Sequence, residues 1–276
     1  MSYLDQITTD TPPNGIRMVL AGVEKIGKTT LACSAPKALL VPLEQGFAGV
    51  KVAKLPMLDS YDTLLEVFND IQVNIAAGKF PYKTIVFDSA TALERLIHDK
   101  VLRSDPTWAK GNQRALTMES ALGGYGKAYQ YANELFHGFL QWCDWFSACR
   151  INVVLTSHVF AAKVMDPTAG EYDCWDLLLH SPKNQKAYGK REMLTQWADF
   201  IGFLHEPIFV SEGKTLNKGI SANKGRVLAT TRTPSYVAGN RYGVIEDISI
   251  PKEKGWNYIA QAIYNSNGLD IYNRDE

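Results

Sequence analysis

Five short apolar runs punctuate the chain: IRMVLA at 16–21, ALLVPLE at 38–44, KTIVFDS at 83–89, INVVLTSH at 151–158 and ADFIGFL at 198–204. They are nearly continuous rather than alternating, the pattern of strands buried on both faces of a parallel sheet. A weaker strand is expected at 51–57. The intervals carry a helical period instead. Residues 60–77 place Leu64, Leu65, Phe68, Ile71 and Ile75 on one face, with Ser60 and Asp62 as cap candidates and Gly78 as the stop. A helix is expected over 90–103, and a longer one over 128–149, where Leu135, Phe139, Trp142 and Phe146 form an aromatic stripe that reads as core. Shorter helices are expected at 29–34, cut by Pro36, at 191–197 and at 256–264.

Strands alternating with helices predict an α/β fold: a mostly parallel central sheet with helices on both faces and right-handed crossovers. Two stretches break the alternation, 104–127 and 159–190, both polar and read as long irregular loops, the first with room for one helical turn. Residues 1–15 read as a polar lead-in to a single domain over 16–276, in which 205–254 form a short β-rich extension and 255–276 a final helix and tail. The 276 residues, 46% hydrophobic and 21% charged, suffice for one large core. Formal net charge is zero, so no global field draws the protein to nucleic acid or membrane, and any such contact is local. Cys33, Cys143, Cys149 and Cys174 lack metal or disulfide-framework spacing and read as reduced thiols. With no signal-like start and no apolar run of membrane-spanning length, a cytoplasmic location is expected, without membrane attachment.

In such sheets ligands lie at the carboxyl ends of the strands, so the polar strand ends are where chemistry is sought. The first run leads into Gly22-Val23-Glu24-Lys25-Ile26-Gly27-Lys28-Thr29, then Thr30 and a helix. This is GxxxxGK[ST] in its strand–loop–helix setting. Glycines let successive backbone N–H groups converge on phosphate oxygens, Lys28 reaches the terminal phosphates, and the Thr29 hydroxyl takes a place on magnesium. ATP and Mg2+ are the cofactors so implied. Asp88 closes the third run and suits the second metal position, with helix N-capping as its plain alternative. Ser89 follows it where a water-activating glutamate often stands, so the base must come from elsewhere, and Glu44 at the end of the second run is the candidate. Thr156 and His158, ending the fourth run, are placed to sense the γ-phosphate.

GVEKIGKT, the PLEQG strand end, IVFDS and VVLTSH, in this order and at these separations, resemble the RecA-type ATPase core. More narrowly, they are similar to RecA-like ATP-binding proteins encoded by bacteriophages and implicated in single-strand annealing and recombination, as are GNRYG at 239–243 and GYGKAY near 126. The resemblance implies that the TSH strand lies between the phosphate-loop strand and the Asp88 strand. It also implies a catalytic glutamate on the strand that carries Glu44, self-assembly into a ring or filament, and single-stranded DNA as partner. A single-strand-binding or replication protein is a further candidate partner.

In RecA-like proteins the loop after the sensor strand meets DNA. Here 159–190 offers Lys163, Lys183, Lys186, Lys190 and Arg191 for phosphates and Tyr188 for base stacking, diluted by four acids. The stretch 104–127, with Lys110, Arg114, Tyr125 and Lys127, is a second candidate surface. The most basic region holds Lys218, Lys224, Arg226, Arg232 and Arg241; Arg241 is the candidate finger acting on a neighbour's γ-phosphate. The alternative to an ATPase is a nucleotide-gated oligomeric binding module with little turnover.

Overall fold

The computed structural model describes Ile7 and residues 14–110, 116–182, 188–211, 218–221 and 225–271. Most of the lead-in lies outside the described residues, as do Lys183, Lys186, Arg114 and Lys224. The apolar runs form β1 (Arg17–Ala21), β2 (Ala38–Pro42), β4 (Thr84–Asp88), β5 (Asn152–Ser157) and β8 (Phe200–His205), and the weak strand is β3 (Ala53–Lys54). These six are mutually parallel along the order β8-β1-β5-β4-β2-β3. The TSH strand β5 therefore does lie between the phosphate-loop strand and the Asp88 strand. β11 (Arg226–Ala229), β12 (Gly239–Asn240) and β13 (Ile248–Ile250) extend the sheet antiparallel beyond β8, so much of the β-rich extension belongs to the main sheet.

Helices cover both faces. On one lie α2 (Tyr61–Ala76), α3 (Ala90–Ser104) and α5 (Lys127–Ala148), packed through a cluster that joins Phe68, Phe87, Phe139 and Phe146. Phe68 meets Phe87 and Phe146 edge-on at centroid distances of 5.7 and 5.4 Å. Each such ring contributes about 2–3 kcal/mol by leaving water, so this face carries much of the stability. On the other face, α1 (Lys28–Ala32) and α7 (Gly255–Asn267) bury Leu31, Trp256, Ile259 and Ile263.

The caps explain where helices start. The Ser60 hydroxyl accepts the Thr63 N–H at 3.1 Å, opening α2. Ser89, not Asp88, caps α3, accepting the Ala92 N–H at 3.2 Å. That leaves the Asp88 carboxylate free for the site.

Among the described residues, 159–190 is more ordered than expected, and 104–127 holds the single helical turn allowed for it together with a 3-10 turn. Within 104–127, α4 (Pro106–Ala109) and a 3-10 turn (Ala121–Gly123) are tied together by buried Asp105, whose carboxylate accepts the N–H groups of Thr107 and Leu122, each at 2.7 Å. The stretch 159–190 is largely a hairpin, β6 (Val159–Asp166) paired antiparallel with β7 (Gly170–Leu177), then α6 (Lys190–Trp197). Asp166 accepts the Thr168 and Ala169 N–H groups, and Gly170 takes the left-handed conformation (φ 80°) that closes the turn. A second hairpin joins β9 (Ile208–Ser211) to β10 (Lys218–Ser221). Among the described residues no helix is long and apolar enough to cross a membrane.

Candidate active site

Parallel register brings the polar strand ends to one edge. Ala21 pairs with Ser157 across β1 and β5, Phe87 with Leu155 across β4 and β5, and Pro42 with Asp88 across β2 and β4. The residues immediately beyond those pairs therefore crowd a single rim.

The loop from Gly22 to Gly27 begins there. A side chain at Gly22 would put Cβ 2.6 Å from the Leu204 carbonyl oxygen, and Gly27 adopts φ 99°, so neither position admits another residue without strain. Lys28 is buried, and its ammonium donates to the carbonyls of Gly22 and Val23, both at 2.8 Å. Burial lowers its pKa, while the charges of Asp88, Glu44 and Glu24 act to raise it. The lysine is thus folded over the loop's own carbonyls, positioned to trade them for phosphate oxygens. Val23, Glu24 and Lys25 form the exposed crest of the loop, Ile26 is half-buried, and Thr30 is exposed on the first turn of α1. At five residues α1 is shorter than expected, ending at Ala32.

Asp88 is 6% exposed, and each of its carboxylate oxygens is engaged. Thr29 Oγ1 donates to Oδ2 at 2.9 Å, and the wholly buried Thr156 donates to Oδ1. Thr156, expected to sense the γ-phosphate, holds the acid in place. A hydroxyl and a carboxylate within 2.9 Å of each other are hard oxygen donors, a set that fits magnesium and not a softer metal.

Glu44 follows β2 by two residues. Its Oε1 accepts the Ser89 hydroxyl at 2.6 Å and meets His158 Nε2 at 2.9 Å. Burial alone would raise this carboxyl; the hydrogen bonds from His158 and Ser89, with the charges of His158 and Arg95, outweigh it and keep the pKa below the usual glutamate value. The group is therefore ionised at neutral pH. The His158 backbone N–H is held by Thr91 Oγ1 at 3.3 Å, which fixes where the ring projects. The structure thus gathers Gly22, Gly27, Lys28, Thr29, Asp88, Glu44, Thr156 and His158 at one rim.

Two contributors were not anticipated. In the sequence Ser89 stands where a glutamate is often found, and Arg226 is one charge of a basic region. Arg226 in fact donates to the Ile26 carbonyl at 3.2 Å, within the phosphate loop.

Other candidates lie elsewhere. Arg241 stands at the opposite, amino edge of the sheet, where Nη1 pairs with Asp199 Oδ1 at 2.8 Å and Nη2 donates to the Gln196 carbonyl at 2.6 Å. Arg17 grips the same aspartate through two nitrogens, at 2.9 and 2.7 Å. Among the expected DNA contacts, Lys163 is exposed on β6 and paired with Glu171, and Tyr188 is 62% exposed. Lys190 is wholly buried, its ammonium 3.3 Å from Glu94, so it presents nothing to a nucleic acid in this structure. Arg191 is paired with Asp176 at 3.1 Å and Glu192 at 3.2 Å.

Residues 14–242 match the family model described as an AAA domain. No curated protein matches the chain. Among solved structures, a KaiC-like protein from the hyperthermophilic archaeon Pyrococcus horikoshii OT3 is 12% identical over 91% of this chain and 92% of its own, with a TM-score of 0.34. The family match spans the phosphate loop, both acids and β5. The chain belongs to the AAA domain family and is a nucleotide-binding P-loop ATPase by fold.

Proposed function

We propose that this protein is a magnesium-dependent ATPase of the RecA-like kind encoded by bacteriophages, which assembles with copies of itself and acts on single-stranded DNA in annealing, recombination or replication. The observation that carries the hydrolytic part is the convergence of Lys28, Thr29, Asp88 and Glu44 at one rim, with Glu44 ionised and held by two donors.

Each residue then has a defined task. Backbone N–H groups of the glycine-framed loop and the Lys28 ammonium bind the phosphates. Thr29 and Asp88 would hold magnesium, whose charge when bound would offset that of the phosphate oxygens. Both hydrogen bonds to Glu44 fall on Oε1, which leaves Oε2 to orient a water and take its proton. His158 stands between β5 and the first strand of the β6–β7 hairpin, and the Leu178 N–H after that hairpin bonds the His158 carbonyl at 2.9 Å. A change at Glu44 therefore reaches the hairpin through one residue, an element of the kind that ligand binding repositions.

The hairpin supports the DNA reading. It carries Lys163 and half-exposed Trp175 outward, with Tyr188 in the segment beyond it, a cation and flat rings suited to backbone and base contacts without sequence readout. The test is oligo-dT affinity with and without ATP, across a salt series, alongside turnover with and without DNA. The proposal expects ATP-strengthened, salt-sensitive binding, weakened by Lys183→Ala with Lys186→Ala, and turnover that rises with DNA. ATP-dependent assembly with no turnover, unchanged in Glu44→Gln, would instead identify a nucleotide-gated binding module.

A further inference from the structure

β11 runs antiparallel to β8, so its first residue, Arg226, arrives at the same rim as the phosphate loop. Its guanidinium spans two backbone carbonyls that are far apart in sequence. Nη1 donates to the Ile26 oxygen at 3.2 Å and Nη2 to the Pro251 oxygen at 2.8 Å. The Ile26 oxygen belongs to the peptide whose N–H is that of Gly27. In a planar trans peptide the C=O and N–H point in opposite directions. Whatever grips the Ile26 oxygen from outside the loop therefore aims the Gly27 N–H inward, toward the phosphate cradle. A cation on the carbonyl also polarises that peptide and strengthens its N–H as a donor.

Two further observations make this a built contact. A Cβ on Gly27 would stand 2.2 Å from Arg226 Nη1, so the glycine makes room for the guanidinium as well as for its own φ of 99°. The other anchor, Pro251, belongs to a unit docked directly behind the loop. A Cβ on Gly255 would stand 2.5 Å from Leu31 Cδ1, and the Trp256 N–H donates to Ser34 Oγ at 3.0 Å. Trp256 itself is wholly buried among the residues packing α7 against α1. This unit, β13 and α7, lies beyond the family match, which ends at residue 242.

We infer that Arg226 is a positioning residue for phosphate binding: it orients the Gly27 N–H by clamping the Ile26 carbonyl to the β13–α7 unit, making that unit part of the nucleotide site. The inference rests on the nucleotide-binding reading for its functional consequence, but not for its geometry. Lysine is no substitute, because one ammonium on a flexible stem does not reproduce a planar fork across two fixed carbonyls.

The experiment uses the full chain as wild type, Arg226→Ala and Arg226→Lys. Carbonyl-13C isoleucine with 15N-glycine isolates the Ile–Gly peptides, of which the sequence has two, Ile26–Gly27 and Ile201–Gly202. In nucleotide-free protein the Ile26–Gly27 signal is expected to move in both variants while the Ile201–Gly202 signal stays in place. ATP affinity is expected to fall about tenfold in both, the size of one charge-assisted hydrogen bond, with thermal midpoint followed in parallel. Arg226→Lys guards against simple unfolding of the alanine variant. An unmoved Ile26–Gly27 signal, or a lowered thermal midpoint with wild-type ATP affinity in the folded protein, would overturn the inference. If wild-type protein binds no ATP, the functional reading fails, and the Ile26–Gly27 signal still decides whether the clamp exists.

Discussion

Glu44 Oε1 lies 2.9 Å from His158 Nε2, linking the tips of two strands that are 114 residues apart in sequence and separated in the sheet by β4. The end of β4 supplies the third member, Ser89, whose hydroxyl bonds the same oxygen at 2.6 Å. A serine thus stands next to Asp88, and a glutamate from the neighbouring strand reaches across to it. The acid missing from the Asp88 strand is delivered from β2.

If Glu44 is the general base, Glu44→Gln keeps the shape and loses the proton acceptor. ATP turnover is expected to fall by about 10²–10⁴-fold with ATP affinity nearly unchanged. Turnover assays paired with equilibrium nucleotide binding check this, and equal loss of both would assign Glu44 to binding instead.

The lowered Glu44 pKa also predicts how stability responds to acid. A carboxyl whose folded pKa lies below its unfolded value, about 4.3 for glutamate, stabilises the fold above that pH. The contribution is lost as pH falls through the folded value. Wild type should therefore exceed Glu44→Gln in stability by a constant margin above about pH 5, and the margin should close below about pH 4. Urea denaturation across this range measures it.

Lys190 is expected to matter for folding rather than for DNA. With its ammonium buried beside half-buried Glu94, whose Oε1 also accepts the His180 N–H at 2.8 Å, removing the lysine leaves that carboxylate without its cation in a largely dry setting. Lys190→Ala should cost about 3–5 kcal/mol in urea denaturation. Oligo-dT affinity of the protein that remains folded should match wild type.

The parallel strands, the phosphate loop and the order of strand tips were legible because each is written locally, in an apolar run and the polar residue that ends it. The β6–β7 hairpin also has a local signature in the sequence, an alternation closed by turn residues. Phe160, Ala162 and Val164 face in while Ala161, Lys163 and Met165 face out, and Asp166 and Gly170 bracket a turn containing Pro167. Scattered charges made that alternation look like loop. Three contacts left no local trace: Ser89 with Glu44, Arg226 with Ile26, and Lys190 with Glu94 join residues 45, 200 and 96 positions apart. Pairings of this range depend on which strand ends the topology brings together. A basic residue that pairs in the interior therefore has the same sequence signature as one on the surface.

The most direct measurement is the equilibrium affinity of Mg-ATP for wild type and for Lys28→Ala, by calorimetric titration of protein whose folding has been checked by circular dichroism. Loss of the ammonium that now bonds the Gly22 and Val23 carbonyls should abolish detectable binding while the fold persists. Undiminished affinity in the folded Lys28→Ala protein would contradict the assignment of this rim as the triphosphate site.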